Sequence, residues 1–174
     1  MIRLVVFLGN PGPTYSRTRH NAGWMVADAL SFAGALDWRA KFKGRFASRS
    51  NIGFLKPETL MNRSGESVGA CMTFFRINAP DILVVHDDIE LELGKVELRA
   101  GGGLAGHNGL RDINRVTGTR DFSRLRVGVS RPTHGDVAGY VLSRFAADEE
   151  AQLPDILARA AAVIEELVAP ATSP

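Results

Sequence analysis

Polar residues able to move a proton stand at the ends of apolar runs in this chain. Leu4–Leu8 is apolar and gives way to Gly9-Asn10-Pro11-Gly12-Pro13, which Tyr15, Arg17, Arg19, His20 and Asn21 follow. Ile82–Val85 is apolar and ends in His86-Asp87-Asp88. Asn62 lies in the loop Pro57–Gly65, and Asn108 in the glycine-rich loop Gly101–Gly109. A neutral histidine can take a proton from water or a hydroxyl. A carboxylate beside it can fix its tautomer and stabilise the imidazolium. Asparagine amides can hold a carbonyl and a developing oxyanion. No activated serine or cysteine accompanies the set, so water is the natural nucleophile. The chemistry indicated is hydrolysis of an ester or similar acyl bond, with His20 as the reactive group, provided that these residues meet.

The elements around them belong to an α/β domain. Ile2–Leu8 and Ile82–Val85 read as buried strands. Val26, Ala27, Leu30 and Ala33 recur at helical spacing, with Gly34 as a stop. Ser50-Asn51 can turn a hairpin between Arg45–Arg49 and Ile52–Lys56. Val68, Met72 and Phe75 mark a second helix, with Pro80 beyond its end. Ile89–Leu93 and Lys95–Arg99 alternate and can pair as extended segments. Asn108 or Gly109 opens a helix over Leu110–Val116 that Gly118 ends. Leu125, Val127 and Val129 alternate with Arg124, Arg126 and Gly128, a strand with one cationic face. Asp136–Phe145 is ambiguous, with a short helix as one reading. A final helix runs from Leu153 to Leu167, with Pro154 a kink or a first-turn residue. The fold expected is a single domain over 1–168, a twisted, mixed but largely parallel sheet with helices on both faces, and a frayed tail over 169–174. In such sheets, ligands gather where polar loops leave the carboxyl ends of strands.

No apolar run approaches the ~20 residues that span a bilayer, and the short first run does not read as a signal peptide. Cys71 is the only cysteine, which rules out an internal disulfide and a cysteine-based zinc site. These features suit the cytoplasm. The formal charge is +2, yet residues 147–174 carry −5 and residues 1–146 carry +7. A basic body fits a polyanionic partner. Trp38–Pro57 contains no acid and mixes Arg39, Lys41, Lys43, Arg45, Arg49 and Lys56 with Trp38, Phe42, Phe46 and Phe54. That mixture suits nucleic acid and equally suits a half-buried hairpin with a solvated cationic face.

Three motifs tempt. Gly65-Glu66-Ser67-Val68-Gly69 matches a nucleophile elbow, but no buried strand precedes Ser67. Gly101–Gly106 has P-loop spacing, but His107-Asn108 replaces the lysine and hydroxyl that nucleotide hydrolysis needs. Four scattered histidines lack the i, i+4 pairing of a helical zinc site, so no metal is expected unless they converge in space.

The stretches VVFLGNPGPTYSRTRHNAG, KPETLMNRSG, LVVHDDIELELGKVELRAGGGLAGHNGLRDI and FSRLRVGVSRP resemble the bacterial-type peptidyl-tRNA hydrolase family, in order and in register. The resemblance covers about Leu4 to Phe145. It implies hydrolysis of the ester between a peptide and the 3′ ribose of tRNA, by a monomer that uses no metal or other cofactor. Position by position, His20 matches the catalytic base and Asp87 its acid. Asn10, Asn62 and Asn108 match residues that hold the peptide or position the water. Tyr15 and Met61 match residues lining the cleft. Arg99 matches a cation for the tRNA 5′ phosphate, and Arg126 a second clamp. His107 is implied to be a neighbour of the site. Leu104 and Ala105 depart from the family's loop, which puts the cleft rim in question. Two rivals remain at this level: a catalytically silent module that binds RNA or a protein partner, and a serine hydrolase acting through Ser67.

Overall fold

The computed structural model describes residues 1–104 and 106–170. Its organising element is β1, Leu4–Phe7, in which every residue is buried. Side chains alternate across a strand. Leu4 and Val6 therefore enter one apolar layer, with β-strand and helix residues such as Leu55, Val68, Val84, Leu110 and Ile113. Val5 and Phe7 enter the other, with Val26, Val85, Leu125, Ile156 and Ile164. A strand apolar on both faces must be covered on both, which requires helices above and below the sheet.

The other strands are β2 (Arg39–Lys41), β3 (Gly44–Arg49), β4 (Ile52–Pro57), β5 (Ile82–Asp88), β6 (Val96–Ala100) and β7 (Ser123–Gly128). The helices are α1 (Ala22–Ala29), α2 (Ser64–Phe75), α3 (Asn108–Thr117), α4 (Val137–Val141), α5 (Ala147–Glu150) and α6 (Leu153–Val168). The sheet runs β2-β3-β4-β1-β5-β7-β6. Its middle is parallel, with β1 paired to both β4 and β5, and β5 to β7. Antiparallel pairs close both edges. Helices α1 and α6 pack together on one face, α2 and α3 on the other. The architecture is the expected single-domain α/β fold with a mixed, largely parallel sheet. Among the described residues no helix is long and apolar enough to cross a membrane.

Several local readings change. Helix α1 ends at Ala29, because Leu30 turns to extended backbone (ψ 138°) to bury its side chain, and Gly34 lies in a separate 3-10 turn. Ile89–Leu93 does not pair with the following segment. β6 instead pairs antiparallel with β7, while Leu91 and Leu93 bond to Ser130. The cationic face of β7 is not solvated, since Arg124 and Arg126 are 2% and 9% exposed. Asp136–Phe145 contains the short helix α4, and Pro154 sits in the first turn of α6. Ser50 and Asn51 do turn the β3–β4 hairpin, both at positive φ (52° and 65°), as a two-residue hairpin turn demands. The Trp38–Pro57 region forms a half-buried hairpin with a cationic outer face. Phe42, Phe46, Phe74 and Phe75 form one aromatic cluster, mostly edge to face, and Arg39, Lys43, Arg45 and Lys56 pair with Asp37, Glu66, Glu58 and Asp28. Most of the tail, 171–174, lies outside the described residues, as does Ala105. Leu104 is buried in the α2/α3 layer instead of forming a rim.

Candidate active site

The carboxyl ends of β1 and β5 lie side by side, and β1 is flanked by β4 on its other edge. This is the crevice where an α/β sheet has room for a ligand. After β1 the chain turns through Gly12–Thr18, held by Tyr15 N–H to the Gly12 carbonyl (3.2 Å) and Thr18 N–H to the Tyr15 carbonyl (3.0 Å). A 3-10 turn, Arg19–Asn21, then leads into α1. A Cβ on Gly23 would stand 2.6 Å from the carbonyl oxygens of Leu8 and Val85. Only glycine lets the first turn of α1 press against both strand ends, and that contact seats the preceding His20 over the crevice.

Two flanking residues fix this turn. The buried Asn21 side chain accepts from Asn10 N–H and donates to the Asn10 carbonyl, both at 2.9 Å. Arg19 is buried. Its guanidinium donates to Glu149 (2.6 Å) and to the carbonyls of Tyr140 and Arg144, and stacks 4.0 Å over the Tyr140 ring. It therefore ties the α4–α5 segment to the His20 turn.

His20 Nδ1 lies 3.0 Å from both carboxylate oxygens of Asp87, and His107 Nε2 lies 2.8 Å from Asp87 Oδ1. The tautomers follow from the remaining partners. His107 is the N-cap of α3, and its Nδ1 accepts from Gly109 N–H (3.1 Å) and Leu110 N–H (3.4 Å). Its proton must then sit on Nε2, which donates to Asp87. Asp87 accepts from His20 Nδ1–H as well, leaving the lone pair on His20 Nε2, which has no partner among the described residues. Burial depresses the His20 pKa, but the charge of Asp87 and its hydrogen bond outweigh that and raise it above 6.5. Burial opposes ionisation of Asp87 too, yet the two imidazoles hold it far below the usual carboxylate range. His86 is fully buried. Burial, then His107, pull its pKa down to about 3, and its Nδ1–H donates to the Asp87 carbonyl at 2.8 Å.

The scattered histidines thus do converge. His20, Asp87 and His107 place ligand-capable atoms within 4.8 Å of one another. The donor set nevertheless fits a metal poorly. With Nδ1 of His107 occupied by two amide protons, Nε2 could ligate only as an imidazolate.

His20, Asp87, His107 and Asn108 line a cavity of about 250 Å³, closed by Asp88, Ile89, Gly106 and the apolar side of α4, Val137, Ala138 and Val141. Asn108 is exposed at its mouth. Asn10 is buried and is not among the cavity's lining residues; its Oδ1 accepts from Met61 N–H (2.7 Å), which leaves Nδ2 as its side-chain donor. Met61 is itself buried against the α2/α3 layer. Asn62 is exposed and Tyr15 half-buried, and neither lines the cavity. The sequence offered no signal for the α4 wall or for the roles of Asn21 and Arg19. Asp112, also unforeseen, accepts from Gly65 N–H at 2.7 Å and so caps α2.

The two expected RNA contacts differ. Arg99 is exposed and makes no ion pair among the described residues. Arg126 donates through Nε to Asp88 (2.7 Å) and through Nη1 to Glu97 (2.8 Å). Burial opposes the charge of Asp88, but Arg126 and the Glu90 amide outweigh it and lower its pKa. Ser67 is fully buried inside α2. Its flanking Gly65 exists for packing, since a Cβ there would meet the Asp112 carbonyl at 2.4 Å. A serine hydrolase centred on Ser67 is excluded.

The family model for peptidyl-tRNA hydrolase matches residues 4–173. The peptidyl-tRNA hydrolase of Geotalea uraniireducens is 45% identical over 172 residues, covering 96% of this chain and 90% of the relative. That of Treponema pallidum is 49% identical over 164 residues, covering 89% and 81%. The crystal structure of peptidyl-tRNA hydrolase from Acinetobacter baumannii superposes with a TM-score of 0.80 at 37% identity, covering 96% of this chain and 90% of that one. With likeness in sequence and fold running nearly end to end, this chain belongs to the peptidyl-tRNA hydrolase family.

Proposed function

We propose that this protein cleaves the ester between a peptide and the 3′ ribose of tRNA, with His20 activating the water. The observation that carries the reading is the His20–Asp87 pair, which leaves a basic His20 Nε2 at a cavity wall. Asp87, held anionic by two imidazole donors, orients His20 and stabilises its protonated form after it takes the water's proton. Asn10 Nδ2 and the Asn108 amide steady the oxyanion that forms at the ester carbonyl. The apolar wall of α4 receives the peptide, with Tyr15, the buried Met61 and the exposed Asn62 as contacts outside the cavity lining. Arg99 contacts an RNA phosphate, and Arg126 enters the same surface with its charge already shared by Asp88 and Glu97. The full set of His20, Asp87, Asn10 and Asn108 supports an enzyme over a silent binding module. The reading includes a cytoplasmic location and a monomeric state, and light scattering of the purified protein would test the second.

The decisive assay is release of peptide from peptidyl-tRNA by purified wild type and His20→Ala. Wild type turns over, and loss of the base lowers kcat about 10²–10⁴-fold. Equal rates for the two proteins would remove His20 from the chemistry, and no turnover by wild type would overturn the function.

A further inference from the structure

The apolar wall of the cavity is not held by the core. Val137, Ala138 and Val141 line the cavity from α4, and among the described residues none of them joins an apolar cluster. Helix α4 is five residues long, and a helix that short is not stable alone. Its place depends on polar ties made by residues that do not line the cavity. The Tyr140 hydroxyl donates to the Val129 carbonyl, just beyond β7. The other tie is Arg19. Its N–H donates to the Ser143 carbonyl at 3.0 Å. Its Nη1 donates to the carbonyls of Tyr140 (3.2 Å) and Arg144 (3.0 Å) and to the Ser143 hydroxyl, and its Nη2 donates to Glu149 (2.6 Å). The guanidinium rests on the Tyr140 ring, 4.0 Å from its centroid.

Arg19 immediately precedes His20, which lines the same cavity. One side chain therefore couples the backbone that carries the base to the wall beside it. A buried ion pair such as Arg19–Glu149 contributes little net stability, because desolvation offsets the attraction. Four acceptors gathered on one planar fork instead fix a geometry. Lysine would keep the charge, but a point charge on a flexible stem does not reproduce that fork.

We propose that Arg19 is a positioning residue for substrate selection: it holds the α4 wall at a set separation from His20, so that the cavity favours a bulky apolar side chain over glycine at the esterified residue of the peptide. This rests on the hydrolase reading above. A leucine side chain at that residue can bury itself against Val137, Ala138 and Val141, whereas glycine has nothing to place there. The gain is realised only while the wall stays where Arg19 puts it. Arg19 itself touches no substrate.

The test compares kcat/KM for N-acetyl-glycyl-leucyl-tRNA and N-acetyl-glycyl-glycyl-tRNA, built on the same tRNA. Misfolding or damage to His20 lowers both values alike, whereas a displaced wall lowers their ratio. Wild type should prefer the leucyl ester. Arg19→Lys should lower that preference about tenfold, the low end of what one methylene in an apolar pocket is worth, with the change in KM for the leucyl ester. Tyr140→Phe removes the hydroxyl tie and leaves Arg19 its ring; it should shift the ratio the same way, and it serves if Arg19→Lys does not fold. Equal kcat/KM for the two esters in wild type would overturn the proposal. So would an unaltered ratio in folded Arg19→Lys, or in Tyr140→Phe where it serves instead. A loss carried by kcat alone, equal on both esters, would make Arg19 a support for His20 and likewise overturn the selection role. Wild type inactive on both esters would instead sink the hydrolase reading itself.

Discussion

The distinctive feature at the residue scale is one carboxylate serving two histidines with different duties. His20 is left with a free basic nitrogen, and His107 is locked by its capping role. The sign of the pH dependence follows. His20 must be neutral to act, and Asp87 raises its pKa above 6.5. The rate should therefore rise with pH and level off above an apparent pKa higher than 6.5. Asp87→Asn removes the charge that raises it. The limb should move to lower pH while kcat falls, and pH–rate profiles of the two proteins check both. A loss confined to KM would make Asp87 a binding residue. The same pair affects stability. The contribution from His20 is full below 6.5 and is lost as pH rises through its raised pKa; that from Asp87 is present above 3.8 and lost in acid. Thermal melts should show Asp87→Asn losing more stability at about pH 5.5 than at about pH 8.5.

Elements, not single residues, set the aim of these groups. The N-terminus of α3 is capped by the His107 imidazole, and the other nitrogen of that ring holds Asp87. Substitution can separate the two jobs. Asparagine is a good N-cap, so His107→Asn should keep most of the stability and still lose the Asp87 contact, lowering kcat. His107→Ala loses both, at an added cost of about 1 kcal/mol for the cap. Denaturant melts beside kcat values check this, and equal stability of the two variants would remove the capping role. The α2–α3 contact predicts a second outcome. Gly65→Ala drives a methyl into the Asp112 carbonyl and should cost about 1–3 kcal/mol, read as a lower denaturation midpoint at unchanged slope.

For the whole molecule, net charge is a poor guide to where RNA would bind. The six cations of Trp38–Pro57 looked the most basic on paper, yet four of them pair with acids from outside the segment. Among the described residues, Arg99 and Arg124, at the other edge of the sheet beside the glycine loop that leads to the cavity, have no acidic partner. Glu97 tempers that edge, with a 46% exposed side chain set against Arg126. Glu97→Gln should free Arg126 and steepen the salt dependence of KM for peptidyl-tRNA by up to about one unit. A flat response would show that Asp88 alone neutralises Arg126.

How much of this was legible beforehand depends on the range of the interaction. Local rules determined the fold class. Apolar runs closed by polar turns gave β1 and β5, the Ser50-Asn51 turn gave a hairpin, and Gly118 ended α3. The chemistry was also legible, because one histidine, one aspartate and several asparagines admit few reactions, and the family motifs ordered them. Pairing across long separations could not be read. His20 and Asp87 are 67 residues apart and His107 another 20, so only strand order brings them to one carboxylate. Ile89–Leu93 alternated like a strand, but β7 was the better partner for β6. Arg124 and Arg126 looked alike on paper, two cations on one face of a strand. Tertiary structure separated them, giving two carboxylates to Arg126 and leaving Arg124 with a single carbonyl, because counter-ions are assigned by proximity in space and not by sequence.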